Sequence, residues 1–295
     1  MGGLSAGGDP PGSRPCGGLG FVSGRPPLDA RSLVGSHDIL FVTLDTLRYD
    51  VACRALEEGM TPFLAQVLPG GAWERRITPG SFTYAAHQAF FAGFLPVPES
   101  SGLHPRLFAA RFDGSETTMS CTAVFDAPDI VTGLRAAGYY AICIGGVGFF
   151  NRRTPLGSVL PDLFDESGWS PEMGVTDPRS TENQVGRAVA SLAALSPERR
   201  CFLFLNVSAL HQPNCMYVPG ATEDGPHTQA AALAYVDAQL PPLFAAMRRR
   251  ADVLAVVCSD HGTAYGENGL VGHRVGHPVV WTVPYAEFVL ARLEP

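Results

Sequence analysis

The chain has 295 residues, 46% of them hydrophobic and 17% charged, which is enough apolar material for one large α/β domain with its own core. A formal net charge of -7 leaves no basic stripe for nucleic-acid phosphates. The dense basic run Arg248-Arg249-Arg250 ends a helical segment, where cations complement the helix dipole. No apolar run is long enough to span a membrane, and the amino terminus lacks a basic segment followed by an apolar one, so neither a membrane span nor a secretory signal is expected.

Cysteine occurs at positions 16, 53, 121, 143, 201, 215 and 258. The number is odd, Cys-x-x-Cys is absent, and several lie in strand-like apolar runs, which predicts reduced, buried thiols in a cytoplasmic protein. The sequon Asn206-Val-Ser208 falls in a segment expected to be buried and reads as chance.

Residues 1–35 are rich in Gly, Pro, Ser and Arg without periodicity and read as a disordered tail ahead of a single domain, 36–295. The first strand is expected over 37–44, running straight into Asp45-Thr-Leu-Arg-Tyr-Asp50. A short helix over 61–68 has Thr61 as N-cap and Pro62 at its first position; a strand follows over 72–78. Small and aromatic residues after Ser81 predict a packed helix that starts near 81–83 and stops before Gly93. Thr83 then lies in the first turn, where free N–H groups and the dipole favour an anion, and His87 lies one turn on, on the same face. A helix over 128–138 leads to a strand over 139–144. Gly145-Gly-Val-Gly148 matches neither the Walker nor the dinucleotide spacing and reads as a tight turn. A helix over 181–195, a buried strand over 201–207 ending towards His211-Gln-Pro213, and a helix over 228–250 broken or kinked at Pro241-Pro242 follow. The apolar strand 252–258 turns abruptly polar at Ser259-Asp260-His261-Gly262, and a last strand is expected over 279–290. The βαβ alternation predicts a three-layer α/β sandwich with a mostly parallel central sheet between helices.

Three strands thus end in candidate ligands: Asp45, His211 and the pair Asp260-His261. Each has a plainer reading. Asp45 or Asp260 can cap a turn, Thr83 a helix, and His211, His273 or His277 can be ordinary loop residues. Their convergence at the carboxyl edge of one sheet, where open α/β sheets bind ligands, favours a site. Asp45, Asp260 and His261 would hold a divalent ion with the Thr83 hydroxyl as fourth ligand, and the ion would activate that hydroxyl as a nucleophile. The helix start and His211, His273 or His277 would bind the oxygens of a tetrahedral anion.

These blocks, spanning 38–277, resemble the alkaline phosphatase/sulfatase superfamily. Asp38-Ile-Leu-Phe-Val-Thr-Leu-Asp45 is similar to its first strand and metal carboxylate, and Thr83 to Gly93 to its nucleophile helix. Phe202 to Pro213 resembles the strand leading to His-x-Pro, and Tyr235-Val-Asp237 a recurrent helix element. Ser259-Asp-His-Gly262 through His273 looks most like lipid phosphoethanolamine transferases and lipoteichoic acid synthases, whose one metal is held by an acidic residue, a Thr, an Asp and a His. The formylglycine motif Cys-x-Pro-Ser-Arg is absent, the second acidic residue of the sulfatase pair is Thr46, and the transferases' membrane helices are missing. The overall pattern is closest to a compact bacterial group of hydrolases.

The resemblance implies an enzyme acting on a small-molecule or headgroup phosphoester. Thr83 would be the nucleophile of a phospho-enzyme, with His211 and His273 catalytic. The metal ligands would be Asp45, Thr83, Asp260 and His261, and the substrate contacts His87, His211, His273 and His277. One divalent ion is expected, Zn²⁺ or Mn²⁺ ahead of Mg²⁺ or Ca²⁺, with a second ion left open. Sulfuryl or phosphonate ester hydrolysis, or a non-catalytic protein keeping a metal for structure, are the alternatives.

Overall fold

The computed structural model describes residues 28–93, 109–110, 124–125 and 129–294. Its centre is a seven-stranded sheet of β1 (Asp38–Leu44), β2 (Glu74–Ile77), β3 (Tyr140–Ile144), β4 (Glu166–Gly168), β5 (Cys201–Val207), β6 (Val253–Cys258) and β7 (Thr282–Leu290). The spatial order is β2-β7-β6-β1-β5-β3-β4. From β4 to β6 every pairing is parallel, as the βαβ alternation predicts. The sheet as a whole is mixed, because β7 runs antiparallel to both β6 and β2. Only a one-turn helix, Pro278–Trp281, directly precedes β7, so the chain has no crossover that would return it parallel to β6.

Side chains alternate across the strands, and each set meets its own helices. Leu40, Val42 and Leu44 of β1 pack with Leu203, Leu205, Val253 and Val257 against one layer. That layer comprises α1 (Tyr49–Glu57), α2 (Pro62–Val67), α5 (Ser180–Ala194), α6 (Pro226–Gln239) and α7 (Pro241–Arg250). Ile39, Phe202, Phe204 and Leu254 face the opposite way, onto α3 (Thr83–Ala92) and α4 (Ile130–Ala136) through Phe91, Val131 and Leu134. At about 1.5–3 kcal/mol for each large apolar side chain buried, these two cores are the main favourable term in the fold.

The proline pair divides the long helix into α6 and α7, with Leu240 between them still in the right-handed helical region. Arg250 does not complement its own helix. Its guanidinium donates to the carbonyls of Leu192 and Leu195 at the end of α5 and to the buried Asp38 carboxylate. Thr61 makes no cap through its side chain; Asp237 of α6 instead accepts from the N–H groups of Phe63 and Leu64 and so caps α2.

Of the expected amino-terminal tail, residues 1–27 lie outside the described residues. Residues 28–35 include a helical turn, Ala30–Leu33, capped by Asp29, and the Gly35 N–H donates to the Tyr139 hydroxyl. Cys16 and Cys121 also lie outside the described residues, whereas Cys143, Cys201, Cys215 and Cys258 are free thiols and Cys53 is buried. No helix among the described residues is long and apolar enough to cross a membrane.

Candidate active site

Three neighbouring strands, β5, β1 and β6, carry the site at their carboxyl ends. Asp45 follows β1 directly, and its N–H donates to the Val207 carbonyl across the edge. Asp260 and His261 follow β6, and Thr83 opens α3, which lies on the other side of the same edge. All four side chains are buried. One ligand atom from each of Asp45, Asp260 and His261 lies within 4.8 Å of the other two. The Thr83 hydroxyl joins them, with Oγ1 3.4 Å from Asp45 Oδ2 and 3.3 Å from His261 Nε2.

Local chemistry explains this arrangement. Phe82 is the N-cap of α3 and makes no side-chain cap, so Thr83 occupies the first helical position and its hydroxyl is turned to the carboxylates rather than used as a cap. A Cβ on Gly80 would stand 2.5 Å from the Ala86 N, so glycine is required where the loop passes beneath α3. Gly262 is required more strictly: a Cβ there would lie 1.9 Å from the Val279 carbonyl oxygen, against which the His261 turn is folded.

One oxygen of each carboxylate is held and the other is left over. Asp45 Oδ2 accepts from the Asn206 side-chain amide at 3.2 Å, while Oδ1 has no partner. Asp260 Oδ1 accepts from the N–H groups of Thr46 at 3.2 Å and His261 at 3.0 Å, while Oδ2 has none. The plainer reading of Asp260 as a turn cap therefore accounts for one oxygen only. His261 Nδ1–H donates to the Gly262 carbonyl at 2.8 Å, which fixes the tautomer and leaves the Nε2 lone pair facing the carboxylates.

Burial pushes the Asp260 carboxyl up to about 7; burial and then the neighbouring Asp260 raise Asp45 to about 6. Burial also lowers His261 from its ordinary value. Two orphaned, desolvated carboxylate oxygens, an aimed imidazole nitrogen and a hydroxyl form a costly set by themselves and an apt one for a divalent cation. The residues present therefore fit the metal that the sequence implies.

The remaining predicted histidines divide into three groups. His211 and His273 stand over the site. The His273 ring lies 4.8 Å from that of His261 and 5.6 Å from that of His211, centre to centre. His211 Nδ1 donates to the Gln212 carbonyl, leaving Nε2 open, and burial lowers His273 to about 3, so its ring is neutral. His277 lies apart: it caps the turn Pro278–Trp281 through Nδ1, with Nε2 on the Asn268 side-chain amide, and makes none of these ring contacts. His87 lies beneath the site. Its fully buried ring is enclosed by Phe90, Phe91, Phe150 and Phe204, which leaves no face for substrate.

Several contributors escape a reading of the sequence. Thr46 has φ +63°, a strained value for a β-branched residue. It is held there by three bonds: its N–H to Asp260, its hydroxyl to the Leu210 carbonyl, and its carbonyl receiving the Gln229 side-chain amide. Gln229 also accepts from the Arg48 N–H, and Thr78 donates to the Asp260 carbonyl. Asn206, which holds Asp45, did leave a signal, as the polar residue of the otherwise apolar run Cys201–Val207.

No family model matches the chain, and no curated protein does. Solved structures match in fold. The soluble domain of lipooligosaccharide phosphoethanolamine transferase A from Neisseria meningitidis matches with TM-score 0.60 at 15% identity, covering 86% of this chain and 77% of that one. The periplasmic domain of EcEptC from Escherichia coli, in complex with Zn, gives 0.56 at 13% identity, over 87% and 74% of the two chains. A protein in the alkaline phosphatase superfamily from Vibrio parahaemolyticus gives 0.53 at 16% identity, over 86% and 60%. Periplasmic domains among these matches overturn the cytoplasmic location expected from the cysteines. A thiol such as Cys143 or Cys201, sealed in a folded core, is shielded from the redox state of its compartment, so its reduced form says nothing of location. At these identities the likeness is one of fold: the chain shares its three-layer α/β architecture with these transferase domains and with a protein in the alkaline phosphatase superfamily.

Proposed function

We propose that the chain is a metal-dependent phosphoester transferase or hydrolase whose nucleophile is the Thr83 hydroxyl. The observation that carries this reading is the placing of that hydroxyl 3.3–3.4 Å from two of three buried ligand groups, two of which keep an orphaned carboxylate oxygen. A purely structural metal site has no use for a hydroxyl at the first position of a helix.

Asp45, Asp260, His261 and Thr83 would hold one divalent ion. When bound, such an ion supplies charge neutralisation at the phosphoryl oxygens and lowers the hydroxyl pKa. The N–H groups of the first turn of α3, which lacks a side-chain cap, point at the same anion. Thr83 Oγ attacks phosphorus, and the ester P–O bond opposite it breaks. The hydroxyl proton is directed at Asp45 Oδ2. His211, with Nδ1–H held by the Gln212 carbonyl and Nε2 open at the mouth, would serve as general acid when Nε2 also carries a proton, giving that proton to the departing alkoxide, and neutral His273 would donate an N–H bond to a phosphoryl oxygen. Water or an acceptor alcohol then attacks phospho-Thr83, releases the phosphoryl group and restores the hydroxyl. The phosphoethanolamine transferases among the structural matches favour a phosphodiester as the entering substrate.

The test is a panel of phosphodiester, phosphomonoester and sulfate ester substrates assayed with added Zn²⁺ and Mn²⁺, with Thr83→Ala alongside. Phosphodiester turnover that Thr83→Ala abolishes, with a phosphorylated Thr83 peptide in quenched wild-type reactions, is the expected result. Near-normal turnover in Thr83→Ala overturns the assignment, and turnover of sulfate esters alone moves the chemistry to sulfuryl transfer.

A further inference from the structure

Beneath the candidate ligands lies a chain of fully buried polar groups that the proposed chemistry does not use: His87, Thr43 and Asn206. We propose that these three residues form a positioning network that ties the nucleophile helix to the Asp45 carboxylate. The inference rests on the reading of Thr83 and Asp45 as parts of one metal site.

The direction of every hydrogen bond in the network follows from its ends. His87 Nδ1 lies 2.7 Å from the Thr83 carbonyl oxygen, which only accepts, so Nδ1 carries the proton. In the neutral ring Nε2 is then an acceptor, and it takes the Thr43 hydroxyl proton at 3.0 Å. Thr43 Oγ1 in turn accepts from Asn206 Nδ2 at 3.3 Å. The Asn206 amide cannot be the other way round, because its Oδ1 accepts from the Val147 N–H at 3.1 Å. The same Nδ2 group donates to Asp45 Oδ2 at 3.2 Å. Each donor finds an acceptor and no member has a competing orientation.

Mechanically, α3 is clamped to the sheet through His87, whose ring bonds Thr43 on one side and the Thr83 carbonyl of the first turn on the other. The clamp point on β1 is Thr43, two residues before Asp45; the clamp point on β5 is Asn206, paired with Thr43 in the parallel register. The aromatic enclosure of His87 keeps water from replacing these bonds. His87 Nδ1 is 3.7 Å from Asp260 Oδ2, beyond hydrogen-bond length, so the link runs to Asp45 and not to Asp260. Loss of the network would let Thr83 and Asp45 shift against each other, and outer groups that orient metal ligands typically contribute 10–100-fold in metal affinity or activity.

Thr43→Val removes both bonds at the middle of the network while keeping the branched shape, and Thr43→Ser keeps the hydroxyl. His87→Phe keeps an aromatic ring among aromatic rings and removes the bonds to the Thr83 carbonyl and to Thr43. Zn²⁺ affinity is measured by chelator competition on each protein, with melting of the metal-free form and kcat and KM on the best ester of the panel. The expected result is that Thr43→Val and His87→Phe lose Zn²⁺ affinity by roughly 10–100-fold, that kcat falls with KM little changed, and that Thr43→Ser retains both. Lowered melting temperatures with wild-type Zn²⁺ affinity and kcat in both Thr43→Val and His87→Phe would reduce the network to ordinary core packing and overturn the proposal. Should one variant not fold, the other decides. If the wild-type chain turns over none of the esters, the assigned function fails, yet Zn²⁺ affinity still decides the network.

Discussion

Replacing Asp260 by Asn isolates the electrostatic cost of building this site without its metal. The Asp260 carboxyl stands at about 7 in the folded chain against an ordinary value of 3.8. For a carboxyl raised in this way, the contribution to stability is fully present below the unfolded value and is lost as pH rises through the folded one. The buried histidines His87 and His273, held near 3, act in the opposite sense, so the wild-type curve alone does not report on Asp260. The difference between variant and wild type does, because the histidines and any fixed packing effect of the amide largely cancel. At about 1.4 kcal/mol per pH unit, ionising Asp260 should cost wild type about 3 kcal/mol between about pH 5 and pH 8, a cost the Asn variant does not bear. With about 2 °C per kcal/mol for a chain of this size, the melting temperature of metal-free Asp260→Asn should gain about 6 °C on wild type over that range. Removing the Asp260 charge also relieves its repulsion of Asp45, which adds in the same direction. Saturating Zn²⁺ should reverse the order, since a ligand at about 1,000 times its Kd stabilises by about 4.1 kcal/mol, which exceeds that gain, and the variant has lost a ligand. The assay is thermal melting of chelator-treated proteins from pH 5 to 8, repeated with Zn²⁺. A difference that stays flat, or that shrinks as pH rises, would refute the reasoning.

The other expectations follow the same geometry. His211→Ala and His273→Ala should each lower turnover by roughly 10²–10⁴-fold with metal content near wild type, whereas His261→Ala should lose the metal; metal analysis beside steady-state rates separates the two, and loss of metal from both of the first pair would make them ligands. Gln229→Ala orphans the Thr46 carbonyl and the Arg48 N–H. It should cost about 2–4 kcal/mol in denaturant unfolding and weaken Zn²⁺ binding through Thr46 and Asp260. Gly262→Ala places a Cβ 1.9 Å from the Val279 carbonyl oxygen. It should lower the denaturation midpoint by more than a typical surface change and lose bound Zn²⁺; unchanged metal content at wild-type stability counts against the assigned geometry.

What the sequence made legible was whatever repeats along the chain or changes abruptly. Apolar runs ending in Asp45, His211 and Asp260 marked strands and their functional edge, because a fully buried parallel strand has no polar face to confuse the pattern. The reversal of β7 was not legible, since period and composition say nothing of direction. His87 was misread because its spacing from Thr83 says that the two share a helical face, but not which side of the nucleophile that face meets. Its four phenylalanine neighbours come from α3, from residues 148–150 and from β5, so the enclosure appears only once the layers are assembled. Thr46 and Gln229 were silent for a related reason. A left-handed Thr has no sequence signature, and a helix Gln is ordinarily solvated.

The two carboxylates meet because the sheet is in register. Thr43 pairs with Cys258 across β1 and β6, so Asp45 and Asp260, each two residues further on, emerge at the same height from adjacent parallel strands. Neither side chain is held by its own strand alone. Asp45 is held by Asn206 from β5, and Asp260 by the Thr46 N–H from the loop after β1. Each neighbour thus orients the next strand's ligand. A slip of one residue in either pairing would turn the corresponding support to the opposite face of the sheet, since side chains alternate with period two. The apolar cores on the two faces forbid that slip, because it would also move Leu40, Val42 and Leu44 out of one core and into the other. The same packing that stabilises the fold therefore sets the separation of the two charges, and the orphaned oxygens are what remains when each carboxylate has been fixed from one side only.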